Sequence, residues 1–208
     1  MKLVEFAHII IVIIVLAFSI TLTKLSPKTL GISALFLAII FFVNIGAKKL
    51  AALYFQADIE TKIWQIQRWG LYERSHLKYP IPMGIILPFL ISIISLGSLF
   101  WLASIQTEIT AKKEKVVKRH DYYSFSEMTE FQIGVIPAMG IIACFLLAII
   151  AYFAGFGELS KLAIFFACFN MLPIGQLDGT KIFFGSVIWW FILAVICVIG
   201  LAYALFLV

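Results

Sequence analysis

The chain has 208 residues, of which 63% are hydrophobic and 13% are charged, and its mean hydropathy is +1.07. Soluble domains are about half apolar and about a quarter charged, so this composition excludes an ordinary soluble enzyme and predicts an integral, multi-pass membrane protein. The net charge of +5 does not indicate nucleic-acid binding, because basic residues in loops and at helix ends normally meet lipid headgroups. We therefore expect membrane lipid as a partner and no nucleic acid.

Six apolar segments predict an all-α fold of about six transmembrane helices, forming a single domain over residues 1–208. The third helix is expected to kink at Pro88. The fourth is expected to open at a capping-box pattern, Ser124 to Glu127. The fifth is too short to span a bilayer fully and is expected to break at Pro173. We place the helices at about residues 3–22, 26–55, 82–105, 124–152, 159–172 and 179–207.

Two polar stretches separate these helices. Residues 56–79 alternate β-branched and polar side chains, from Ile59 to Gln65, which predicts a small interfacial strand or hairpin after the second helix. Such a strand is expected to present an edge to an extended peptide. Residues 106–130 hold a cluster of lysines and are expected to form the main charged loop.

One carboxylate, Asp178, lies between two long apolar runs. An ionisable group at that depth is costly and usually marks a functional site with a partner. Pro173 breaks the helix before it, and Asn170 has donors and acceptors for the backbone groups that the break frees. Asp178 could also act only as the N-cap of the last helix; the cost of a buried charge favours the site.

The segment from Asn170 to Gly179 resembles the second signature of the site-2 proteases, a family of intramembrane zinc metalloproteases. Asn170, Pro173, Leu177, Asp178 and Gly179 match that signature. The resemblance implies that Asp178 stands where the family has its third zinc ligand. It also implies that the strand after the second helix guides extended substrate.

The family's first signature, His-Glu-x-x-His, is absent. The resembling stretch begins at Asn44, where the first histidine would stand, and has Ile45 for the glutamate and Lys48 for the second histidine. The chemistry needs two imidazoles four residues apart and a carboxylate as general base. An amide is a poor zinc ligand, a protonated lysine repels a cation, and isoleucine cannot take a proton. These are therefore degenerate active-site positions, and we expect neither zinc nor another cofactor.

Three functions remain open. The first is a catalytically inactive protein of site-2-protease type, a pseudoprotease that binds transmembrane segments or a membrane partner. The second is an active intramembrane zinc protease with atypical ligands, and the third is a small transporter or channel that uses a pocket at Asp178. The first is favoured because one carboxylate cannot by itself hold a catalytic zinc ion, which needs three protein ligands.

The remaining hypothesis concerns what replaces the metal. We predict that the Lys48 ammonium pairs with Asp178 and that Asn44 completes the hydrogen bonding of the pair. The competing interpretation is that Lys48 extends to the membrane surface from a helix end.

The three cysteines lie in apolar runs and are expected to be buried or lipid-facing. The spacing of Glu5 and His8 resembles a di-iron motif, but helix-end polar residues explain it better.

Overall fold

The computed structural model describes residues 3–22, 26–68, 76–97, 99–111 and 128–206. Within these ranges the chain forms seven helices and four short strands. The helices are α1 Leu3–Thr21, α2 Pro27–Tyr54, α3 Met83–Ile94, α4 Glu130–Phe153, α5 Gly157–Asn170, α6 Asp178–Gly185 and α7 Val187–Phe206. The strands are β1 Ala57–Ile63, β2 Ile66–Arg68, β3 His76–Ile81 and β4 Ile105–Ala111.

Four of these helices, α1, α2, α4 and α7, are long and apolar enough to cross a membrane by length and composition. Helices α3 and α5 are apolar over much of their length but have only 12 and 14 residues. Helix α4 is central, because α2, α5 and α6 all pack against it. Helix α1 lies against α2, α3 and β1, and α7 lies against α5 and α6.

Helix α4 begins later than the sequence pattern predicted. Its N-cap is Thr129, whose hydroxyl accepts a hydrogen bond from the backbone N–H of Gln132 at 3.3 Å. This contact satisfies one of the donors that a helix start leaves free. The capping box expected at Ser124 to Glu127 lies outside the described residues, and Met128 and Thr129 are not helical.

The prediction that the third helix continues to Ile105 was wrong. Helix α3 ends at Ile94, and the backbone then leaves the helical conformation at Leu96 and Gly97, whose φ angles are +52° and +79°. Residues 106–111, expected to start a charged loop, instead form β4 together with Ile105, the expected end of the third helix. Its alternating β-branched residues favour an extended backbone, and its pairing with β1 satisfies its hydrogen bonds.

The strand predicted after the second helix is present. Strands β1 and β4 pair antiparallel, from Ala57 opposite Ala111 to Ile63 opposite Ile105. Strands β2 and β3 form a second antiparallel pair, with Ile66 opposite Ile81. The fold is therefore mainly helical with two small sheets, and the larger sheet joins two chain segments that are distant in sequence.

The expected continuous last helix is two helices, α6 and α7. They meet at Ser186, whose backbone is extended with φ −167° and ψ 115°. The Ser186 hydroxyl accepts from the N–H of Trp189 at 3.4 Å, and its carbonyl accepts from Trp190 at 3.0 Å. Because serine is a favoured N-cap, it restarts the helix in a new direction.

Gly185 lies where α6 crosses α4. A Cβ atom there would lie 2.8 Å from both the Glu130 carbonyl oxygen and the Gly134 Cα, which are backbone atoms that cannot move aside easily. We expect Gly185→Ala to lower the free energy of unfolding by about 1–3 kcal/mol, as overpacking typically does. By contrast, a Cβ atom at Gly31 of α2 would have no heavy atom of another element within 4 Å.

Gly31→Ala is therefore the matched control for this prediction. It should be neutral or stabilising by about 0.5–1 kcal/mol through helix propensity. Both variants can be compared by thermal unfolding in the same detergent. Equal melting temperatures for the two variants would contradict the close crossing of α4 and α6.

Candidate functional site

The loop between α5 and α6 brings Asp178 into the protein interior. Helix α5 ends at Asn170, three residues before Pro173, so the predicted break is present. The Asn170 amide donates to the Phe166 carbonyl at 2.8 Å. Gly179 allows the loop to fold back closely, because a Cβ there would lie 2.0 Å from the Met171 carbonyl oxygen. Leu177, fully buried, anchors the chain just before Asp178.

Helix α2 presents the second half of the site. Asn44 and Lys48 are one helical turn apart, so they share a face, and both are fully buried at 0% exposure. Ile45 is buried in the neighbouring hydrophobic core at 6% exposure. A lysine that reached a membrane surface would be exposed, so the helix-end interpretation of Lys48 was wrong.

The structure places the Lys48 ammonium 2.5 Å from Asp178 Oδ2. Thr107 of β4 completes the cluster: its hydroxyl accepts from Lys48 Nζ at 3.1 Å and donates to Asp178 Oδ1 at 3.3 Å. Each carboxylate oxygen therefore has a donor.

Asp178 is not the N-cap of α6. It is the first residue of that helix, and Leu177 holds the cap position. The Asp178 side chain therefore serves the ion pair.

Asn44 does not complete the hydrogen bonding of the pair, contrary to expectation. Its amide donates instead to Cys144 Sγ of α4 at 3.5 Å. The oxygens of the Asn44 and Asn170 amides are buried without a hydrogen-bond partner in the described part of the chain. Cys144, Cys168 and Cys197 are all buried free thiols, as the sequence predicted.

Gly140 of α4 makes room for the lysine. A Cβ atom at this position would lie 2.6 Å from Lys48 Cε and 2.9 Å from Lys48 Cγ. It would also lie 2.9 Å from the Asn44 amide nitrogen. The long aliphatic part of Lys48 therefore occupies space that any other residue at position 140 would fill.

Two charged side chains hold the outer edges of the β1–β4 sheet. The backbone N–H of Trp64 donates across the sheet to the Ser104 carbonyl at 2.9 Å. Backbone N–H groups along a strand point alternately toward and away from the partner strand, so the N–H of Thr61, three residues earlier, points outward. Glu5 Oε1 accepts that N–H at 3.1 Å. On the other edge, Lys181 Nζ donates to the carbonyl of Thr107.

Thr61 and Thr107 are opposite each other in the sheet. The middle of each outer edge is therefore occupied by a side chain, and a peptide could add there only by displacing Glu5 or Lys181. The presentation of an edge to an extended peptide stays a prediction. Thr107 was missed because it fell in the expected charged loop, although the β-branched alternation of Ile105, Thr107 and Ile109 is typical of a strand.

The residues present do not fit a zinc ion. The Lys48 ammonium occupies the position on Asp178 Oδ2 that a cation would need, and it carries like charge. Asn44 offers only an amide, which is a poor zinc ligand, and the buried Ile45 side chain cannot act as a base. No cluster of three or more His, Cys, Asp or Glu residues that could hold a metal occurs among the described residues.

Comparison of the chain with models of known protein families, with curated proteins and with solved structures found no match.

The buried pair predicts a strongly non-additive response to mutation. Lys48→Met and Asp178→Leu should each lower the free energy of unfolding by about 3–5 kcal/mol, because each leaves one buried charge without a partner. The double variant should be less destabilised than either single variant. The double variant should still lose about 1–3 kcal/mol of unfolding free energy, because the buried Thr107 hydroxyl loses both of its hydrogen-bond partners.

Thermal or denaturant unfolding of the four proteins measures this coupling. Lys28→Met is the control, because Lys28 is exposed in the first turn of α2, and a surface change of this kind stays within about 0.5 kcal/mol. Simple addition of the two single effects would show that Lys48 and Asp178 do not stabilise each other.

Proposed function

We propose that this chain is an integral, multi-pass membrane protein of site-2-protease type that has lost catalysis. Its role is to bind transmembrane segments or to assemble with a membrane partner. The observation that carries this proposal is the buried contact of 2.5 Å between Lys48 and Asp178. In the resembling family these positions belong to zinc ligands, and here an ammonium group neutralises the carboxylate instead.

The local chemistry supports an inactive site. The ammonium has no lone pair with which to accept a proton, and both charged groups are fully enclosed at 0% exposure. Ile45 stands where the family has its catalytic glutamate. A zinc protease with atypical ligands therefore has less support, and so does a transporter that uses Asp178, because this carboxylate faces its own partner.

Helix α7 offers the best surface for a transmembrane partner. Only 17% of its most apolar 18-residue stretch is buried, against 28%, 39% and 44% for α2, α1 and α4. Phe191 and Val198 on this helix are 63% and 66% exposed. A partner helix packed here would contact α7, which itself packs against α6, the helix that begins at Asp178.

Rebuilding the ligands tests the proposed ancestry of the site. The double variant Asn44→His/Lys48→His places two imidazoles one turn apart on the face of α2 that already meets Asp178. We expect the purified wild-type protein to bind no stoichiometric zinc and to cleave no membrane substrate. We expect the double variant to bind zinc stoichiometrically, since three protein ligands suffice for such a site.

Asp178→Ala added to the double variant is the control and should abolish zinc binding. Metal content is measured by mass spectrometry on protein that retains its helical circular dichroism. Tight zinc binding by the wild-type protein that depends on Asp178 would overturn the proposal and favour the active protease. A folded double variant that binds no zinc would contradict the resemblance.

Cross-linking in the membrane tests the partner surface. A photoreactive amino acid at Phe191 of α7 should give a protein adduct of discrete mass. The same group at Ile14 of α1, which is 60% exposed, should react only with lipid. Adducts from both positions, or from neither, would contradict a partner that packs on α7.

A further inference from the structure

A largely apolar groove of about 410 Å³ lies between α4, α5 and α7. At the helical rise of ~1.5 Å per residue, it follows α4 for about 12 Å from Phe145 to Phe153 and α7 for about 10 Å from Ile196 to Tyr203. The other lining residues are Ala148, Ile149, Tyr152, Ser160, Ile164, Ile199 and Gly200.

Gly200 of α7 closes the floor of this groove. A Cβ atom there would lie 2.8 Å from Phe145 Cε1 of α4 and 3.3 Å from Ile164 Cγ2 of α5, so the three helices meet at this glycine. Ser160 and Ile164 form the inner wall at 1% and 4% exposure, whereas Phe153 at the rim is 83% exposed. The groove is therefore closed toward the protein and open on its outer side.

The lining side chains contribute three hydroxyl groups, all near one end of the bundle. Tyr152 lies in the last turn of α4, Tyr203 in the last turn of α7 and Ser160 in the first turn of α5. The two tyrosine rings contact each other edge to face, with their centroids 5.5 Å apart. The Ser160 hydroxyl is buried and has no hydrogen-bond partner among the described residues. Because a buried hydroxyl without a partner is costly, the inner wall has a hydrogen-bonding group that a ligand can satisfy.

The lining determines which ligands fit. None of the lining residues has a formal charge, so a phosphate, carboxylate or ammonium group in the groove would be uncompensated. A full acyl chain spans about half of the ~30 Å hydrocarbon core of a membrane, which is longer than the groove. A compact, uncharged ligand with one hydroxyl group meets both conditions.

We propose that this groove binds a lipid alcohol of the sterol type, with fused rings between α4 and α7 and a hydroxyl group hydrogen-bonded to Ser160. A rigid ring system loses little conformational freedom when it enters a groove of fixed shape. The ligand hydroxyl lies near the helix ends that carry Tyr152 and Tyr203, and tyrosine side chains are enriched at the surface of a membrane.

The inference rests on the proposed membrane location and not on the catalytic state of the Asp178 site, so the zinc and sterol measurements can succeed or fail independently. It is also compatible with a partner helix on α7. The groove residues lie on the side of α7 roughly opposite Phe191 and Val198, because a helix turns by about 100° per residue.

Removing the hydroxyl group from either molecule is the first arm of the test. Ser160→Ala removes it from the protein, and cholestene differs from cholesterol only in lacking it. Without sterol, Ser160→Ala should melt at the same temperature as the wild-type protein or higher, because the hydroxyl that it loses has no partner. A lower melting temperature would show that Ser160 serves the fold and would overturn its assignment to a ligand.

Filling the groove is the second arm. Ile196 lines the groove and is 41% exposed, so Ile196→Trp places a larger side chain there. Ile192→Trp is the matched control, because Ile192 is on the same helix, is 47% exposed and is not among the lining residues. Melting temperatures without sterol show whether both variants fold.

Binding of radiolabelled cholesterol to the protein in detergent is measured, and unlabelled lipids compete for the site. We expect cholestene to compete about threefold to tenfold less well than cholesterol, the effect of one hydrogen bond. Ser160→Ala should weaken cholesterol binding by the same factor and should no longer distinguish the two compounds. Ile196→Trp should lose binding, and Ile192→Trp should keep it.

Farnesol, a linear lipid alcohol, and phosphatidylglycerol, an anionic lipid, test the body and the charge of the ligand. Both should compete poorly, and competition by either as strong as that of cholesterol would overturn the assignment to a sterol. Equal competition by cholesterol and cholestene in the wild-type protein would overturn the role of the hydroxyl group. Unchanged cholesterol binding in folded Ile196→Trp would overturn the groove as the site.

Discussion

The buried ion pair between Lys48 and Asp178 is the constraint on which the rest of the structure depends. Two charges removed from water are costly, and they persist only where each is paired and hydrogen-bonded. The fold meets this requirement with three separate segments, since α2 supplies the ammonium, α6 the carboxylate and β4 the Thr107 hydroxyl. Gly140 of α4 completes the enclosure by leaving space for the lysine chain.

Thr107 connects this cluster to the sheet. Its side chain hydrogen-bonds the ion pair, while its carbonyl accepts from Lys181 and its strand pairs with β1. The same sheet is held on its far edge by Glu5 of α1. Charged side chains thus link the first helix, the sheet and the Asp178 helix into one network. In a chain so rich in apolar residues, these few polar contacts give the elements that they join directional constraints, which the hydrophobic effect does not supply.

The sequence predicted the Asp178 segment well, because in an apolar chain a proline breaks a helix, an aspartate needs a partner and a glycine allows close approach of the backbone. The predictions were wrong where one stretch of sequence was compatible with more than one structure. The apolar run after Pro82 continues beyond Ile94, so periodicity alone could not show that the helix ends at Ile94, just before the positive φ angles of Leu96 and Gly97. The extended state of β4 depends on pairing with β1, more than 40 residues away along the chain. Asn44 was misassigned because its distance from the pair and its contact with Cys144 depend on how α2 and α4 cross.

The sequence by itself determined the apolar character of the helical segments, the break at Pro173, the strand after α2 and the identity of the charges that need partners. Each of these follows from local chemistry: side-chain hydropathy, the missing proline N–H and the desolvation of a charge. The tertiary structure alone decided that Thr107 joins the pair, that Gly140 accommodates Lys48, and that Glu5 and Lys181 hold the sheet edges. Those contacts join residues far apart in the chain, and only the packing of the helices brings them within hydrogen-bond distance.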